Sequence, residues 1–110
     1  MALTKSFKET VAARLQSDPS FKQALLAEGI SALLDGESNV GKSILRDYVN
    51  ATIGFETLSQ ETKIPPKSLM RMLSAKGNPS ANNLFAIIHA LQIEAGVHFT
   101  AVVDGMDRAA

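Results

Sequence analysis

The stretch GFETLSQETKIPPKSLMRMLSAKGNPS, residues 54–80, decides how this chain folds. Its apolar residues predict a short helix over about 55–62, carrying Leu58, and a second over 65–74, with Leu69, Met72 and Leu73 facing inward. Between them lies a turn of about three or four residues, the layout of a helix-turn-helix. Pro66 biases Pro65 away from helical geometry, which suits a cap position, and Pro66 itself fits the first helical turn. The sequence GNPS at 77–80 then punctuates strongly, and Ser80 is a good cap for a following helix of about 81–92.

Charge adds to this reading. The whole chain is neutral, with 11 basic and 11 acidic residues. Yet from Thr62 to Ile93 it carries Lys63, Lys67, Arg71 and Lys76 and no acidic residue. Lys67 and Arg71 are four apart and share one helical face, bordered by Ser68 and Ser74. A helix with an apolar back and a short basic front suits a major groove, with flanking Lys63 and Lys76 on phosphates. An ordinary solvated amphipathic helix has the same periodicity and charge, so both readings stand at this point.

Upstream, residues 4–16 read as a helix capped by Thr4, with Phe7, Val11 and Leu15 every four residues. Asp18 followed by Pro19 opens a second helix, running to about Leu34 with Phe21, Leu25, Leu26, Ile30, Leu33 and Leu34 on one face and Gly36 as its stop. A third, about 39–52, has Val40, Ile44, Leu45, Tyr48 and Val49 as its stripe and Gly54 near its end. Downstream, Leu84, Ile87, Ile88 and Leu91 give the 81–92 helix a continuous face. GVHFTAVV, 96–103, is valine-rich and reads as a short strand. One strand needs a partner. Its copy in a dimer, or another protein, would supply one. The first two helices carry more apolar surface than an isolated hairpin hides, so they pack on the rest, across a dimer, or against a partner.

GESNVGKS at 36–43 fits the phosphate-loop pattern G-x-x-x-x-G-K-[ST]. Such a loop needs a buried strand leading in, and QALLAEGISALLD before it has helical spacing. The bland reading ends one helix at Gly36, caps the next with Ser38 or Asn39, and leaves Lys42 on the surface.

Composition narrows the rest. A chain of 110 residues suits one domain, 45% apolar but only 5% aromatic, hence an aliphatic core. It has no cysteine, which excludes disulfides and thiolate chemistry, and its two histidines, His89 and His98, make a metal site unexpected. His89 beside the apolar face reads as a packed or surface residue. No Ser–His–Asp or paired-carboxylate set can be assembled, so neither enzyme activity nor a cofactor is expected. No apolar run reaches the roughly 20 residues of a membrane span, and the N-terminus lacks an apolar signal core. A cytoplasmic setting is expected.

Residues 53–93 resemble the helix-turn-helix domain of the Cro and phage-repressor (XRE-like) type. The resemblance rests on Leu58, Ile64, Leu69 and Met72, then Gly77, Asn78, Pro79 and Ser80, then Leu84, Ile87, Ala90 and Leu91. More narrowly, LMRMLSAKGNPSANNLFAIIHAL is similar to the addiction module antidote (HigA-like) antitoxins, which read close to L-Y-R-A-L-S-x-x-G-N-P-S before an amphipathic helix. The likeness covers most of 40–103 and less of 1–35.

The resemblance implies an all-α, lambda-repressor-like DNA-binding domain of five to six helices, with the helix-turn-helix domain at 36–95; the periodicity read above adds an N-terminal helical hairpin extension at 1–35 and a C-terminal strand and tail at 96–110 that can dimerise. The resemblance also implies a homodimer that binds a palindromic operator in double-stranded DNA at its own promoter and neutralises a small RelE- or ParE-like toxin. Carried over by position, Pro66, Lys67, Ser68, Met70 and Arg71 are base-facing. Lys76 and Asn78 match phosphate-contacting places, as does Thr57 near the start of the preceding helix. Met70 would offer only an apolar contact, such as to a thymine methyl.

Four residues depart from the pattern. Ser59 stands where a small residue such as alanine is usual, Lys63 where the turn has glycine, and Pro65 and Pro66 where serine or threonine caps the recognition helix. The missing side-chain cap costs roughly 1 kcal/mol, and two backbone N–H groups are absent. A protein-interaction module whose helix-turn-helix no longer binds DNA is the alternative these departures motivate.

Overall fold

A computed structural model describes residues 5–105, with side chains from residue 9 onward. The Thr4 cap and the Phe7 side chain lie outside the described residues, as does the tail beyond Gly105. Among the described residues six helices follow in order: α1 (Lys5–Ser17), α2 (Pro19–Leu34), α3 (Ser38–Ala51), α4 (Gly54–Thr62), α5 (Pro66–Met72) and α6 (Ala81–Ala95). The all-α expectation holds.

Local chemistry explains the boundaries. The Asp18 carboxylate accepts from the Ser20 and Phe21 N–H groups at 3.1 and 3.2 Å, and Pro19 occupies the first turn of α2. At the other end Gly36 takes φ +83, where a Cβ would be strained. Its N–H bonds to Leu33 O, and that of Glu37 to Ala32 O, respectively the five-to-two and six-to-one closures of a Schellman motif. The chain re-enters a helix at once. Neither Ser38 nor Asn39 therefore caps α3: Glu37 holds the cap position without a side-chain bond, and both lie in the first turn. Ser80 does cap α6, accepting from the Asn83 N–H at 3.2 Å.

A single core runs through all six helices. Leu15 of α1, Leu26 of α2, Leu45, Tyr48 and Val49 of α3, Phe55 and Leu58 of α4, Leu69 of α5, and Ile87, Ile88, Ala90 and Leu91 of α6 belong to it. Truncating any of its fully buried leucines to alanine costs about 2–5 kcal/mol. The first two helices share this core, and α2 lies close along α3. A Cβ on Gly41 would come within 2.6 Å of the Leu33 side chain, and one on Gly29 within 3.0 Å of Ile44. Leu34 and Val40, read from periodicity as inward-facing, are 83% and 48% exposed because the helix break at Gly36 falls between them.

The expected strand over 96–103 is not formed. Helix α6 runs on to Ala95, and residues 97–105 have no regular structure. The alternation survives: Val97 and Phe99 pack against the core while His98 and Thr100 are exposed. The Phe99 N–H donates to Gln92 Oε1 at 2.8 Å, a side-chain substitute for a ladder bond. Among the described residues no second strand exists to pair with, so the segment lies extended on α6.

Candidate nucleic-acid interface

Helices α4 and α5 are joined by residues 63–65. Leu58 and Leu69, both fully buried, anchor the two helices to the core, and Ile64 in the turn packs against it. Lys63 ends α4 in the left-handed region at φ 64 and ψ 22, and its N–H bonds to Ser59 O. It is the position where glycine would be free of strain. Helix α5 starts after Pro65 without a side-chain cap, and Pro65 O accepts from the Leu69 N–H at 3.0 Å.

The outer surface of this unit is basic. Lys63, Lys67, Met70, Arg71, Lys76 and Asn78 are exposed, whereas Thr57, Pro66 and Ser68 are half-buried. None of the four cations pairs with a carboxylate among the described residues, where the ion pair is Arg14 with Asp18 at 3.6 Å. The basic front therefore meets solvent with its charge uncompensated, opposite an apolar back of Leu69, Met72 and Leu73.

Helix α5 is shorter than the 65–74 its periodicity suggests, because the following loop folds back over its end. The Ser74 hydroxyl donates to Arg71 O at 2.6 Å, and the Gly77 N–H donates to Ser74 O at 3.0 Å. A Cβ on Gly77 would fall under 3.0 Å from the carbonyl oxygens of both Arg71 and Met72. The L-S-x-x-G-N-P-S block is thus a physical unit: a serine that closes α5, a glycine admitted by close backbone approach, and a serine that opens α6.

Lys42 belongs behind this loop. The surface place expected for it is wrong: the residue is 5% exposed, and its Nζ donates to Gly77 O at 2.6 Å and Ala75 O at 3.4 Å. One turn on, Arg46 donates to Leu73 O at 3.3 Å. The phosphate-loop pattern accordingly follows helix α2 rather than a strand, and its lysine is engaged by peptide carbonyls. A signal for this was present, since Lys42, Leu45 and Val49 fall at i, i+3 and i+7 on the buried stripe of α3.

Both histidines border one open groove of about 320 Å³, with Gln92, Ile93, Val97 and Phe99. Among the described residues no group of three or more histidine, aspartate or glutamate side chains is placed to hold a metal ion. Among the described residues no helix is long and apolar enough to cross a membrane.

No known protein family, curated protein or solved structure matches this chain.

Proposed function

We propose that the chain is a sequence-specific DNA-binding regulator of the Cro-like helix-turn-helix type, acting as a homodimer on a palindromic operator and serving as the antitoxin of a toxin–antitoxin pair. The observation that carries the DNA reading is the uncompensated basic front of α5 and its flanks. Lys67 and Arg71 lie one turn apart on the helix, with exposed Lys63 before it and Lys76 after it. In this role Lys67, Met70 and Arg71 face base edges, while Lys63, Lys76 and Asn78 hold the backbone. The antitoxin role rests on the resemblance of LMRMLSAKGNPSANNLFAIIHAL, 69–91, to the addiction module antidote proteins. The extended segment 97–103, with Val102 and Val103 exposed, is the element assigned to dimer pairing.

A DNA-binding titration across a salt series tests this reading, using duplex from upstream of the protein's own reading frame. Affinity falls steeply with salt; Lys67→Ala or Arg71→Ala weakens binding, and Lys76→Ala, at a phosphate contact, reduces the slope by about one. The second reading, a protein-interaction module, is favoured by the uncapped start of α5, where two prolines supply no N–H to a phosphate. Absence of binding to that duplex, with a small toxin encoded beside it still captured, supports the second reading against the first.

A further inference from the structure

The carbonyls of Leu73, Ala75 and Gly77 leave α5 at alternate residues, and all three face cations on α3. Lys42 and Arg46 are four residues apart, so one helical face presents both. Among the described residues every peptide bond is trans. In a trans peptide the C=O and the following N–H point in opposite directions. The unit that holds Ala75 O also holds the Lys76 N–H, and the unit that holds Gly77 O also holds the Asn78 N–H. Drawing the two oxygens toward buried Nζ therefore turns those two N–H groups away from α3. Lys76 and Asn78 are exposed, and neither N–H meets an acceptor among the described residues. A cation on the carbonyl also polarises the peptide and strengthens its N–H as a donor.

We propose that Lys42, though buried, is a positioning residue for phosphate binding: it orients the loop after the recognition helix so that the main-chain N–H groups of Lys76 and Asn78 receive one DNA phosphate. The proposal rests on the DNA reading above and deepens it. Lys42 is buried and cannot reach a phosphate itself, so its effect on DNA affinity passes through the loop.

The test compares the wild-type protein and Lys42→Met on the upstream duplex across a salt series. Methionine keeps the unbranched apolar stem, one atom shorter, and removes the ammonium. The expected result is a loss of affinity of about tenfold with the salt slope nearly unchanged, because the N–H groups that are turned away carry no charge and release no counterion. In the wild type, amide resonances of Lys76 and Asn78 move downfield when duplex is added. A folded Lys42→Met protein with wild-type affinity overturns the proposal and leaves the DNA reading intact. If that variant does not fold, the wild-type amides decide: resonances of Lys76 and Asn78 that stay still while those of Lys67 move overturn it. A wild-type protein that binds no duplex overturns both.

Discussion

The Lys42 ammonium donates to the Gly77 carbonyl oxygen at 2.6 Å, across 35 residues of sequence, and so ties the first turn of α3 to the loop that ends α5. It is a buried, charge-assisted bond, which contributes more than a neutral one. Lys42→Met is expected to lower stability by about 2 kcal/mol, the usual scale for a lost hydrogen bond to a charged group. Chemical denaturation with an unchanged m-value checks this; a change under about 0.5 kcal/mol would mean that water replaces the ammonium at no cost.

The two close-packed glycines differ in what surrounds them. At Gly77 an added Cβ meets backbone oxygens, which cannot move without unwinding α5, whereas at Gly41 the nearest atoms belong to the Leu33 side chain. Gly77→Ala is expected to cost about 3 kcal/mol and Gly41→Ala less, about 1–2 kcal/mol. Thermal melts of the two variants give the order, and a larger loss for Gly41→Ala contradicts it.

Lys63 carries backbone strain in the left-handed region. Replacing it by glycine relieves about 1–2 kcal/mol and returns part of that as unfolded-chain entropy. Lys63→Gly is therefore expected to stabilise the fold by about 0.5–1 kcal/mol while weakening DNA binding and lowering its salt slope. The two readouts move in opposite directions, which separates this variant from one that merely damages the fold.

Tyr48 is fully buried, and its hydroxyl has no hydrogen-bond partner among the described residues. Burial, and secondarily the charge of Glu94, push its pKa from 10.0 up to about 12. The folded state thus keeps a proton that the unfolded state releases first. Stability from this group is intact below the unfolded value and is lost as pH rises toward the folded one. Wild type should lose about 1 kcal/mol more than Tyr48→Phe between about pH 9 and about pH 11. At neutral pH Tyr48→Phe removes an unsatisfied buried hydroxyl and is expected to stabilise the protein by about 1 kcal/mol. Parallel urea curves at the two pH values check both statements, and a destabilised Tyr48→Phe would reveal a partner for the hydroxyl.

Local signals in the sequence determined the six helices. Asp18 and Pro19 open α2, Gly36 closes it, Ser80 caps α6, and Leu69 and Leu73 mark the inner face of α5 and its exit, because capping and periodicity act within a few residues. The placement of Lys63, Lys67, Arg71 and Lys76 on an exposed basic front was legible for the same reason. Tertiary structure decided what depended on distant partners. The valine-rich segment 97–103 has the alternation of a strand but meets α6 rather than a second strand, so it forms no ladder. GKS at 41–43 has the letters of a phosphate loop, but α2 precedes it. Lys42 turns inward because the carbonyls of Ala75 and Gly77, brought to it where the loop after α5 lies against α3, satisfy its ammonium where solvent cannot.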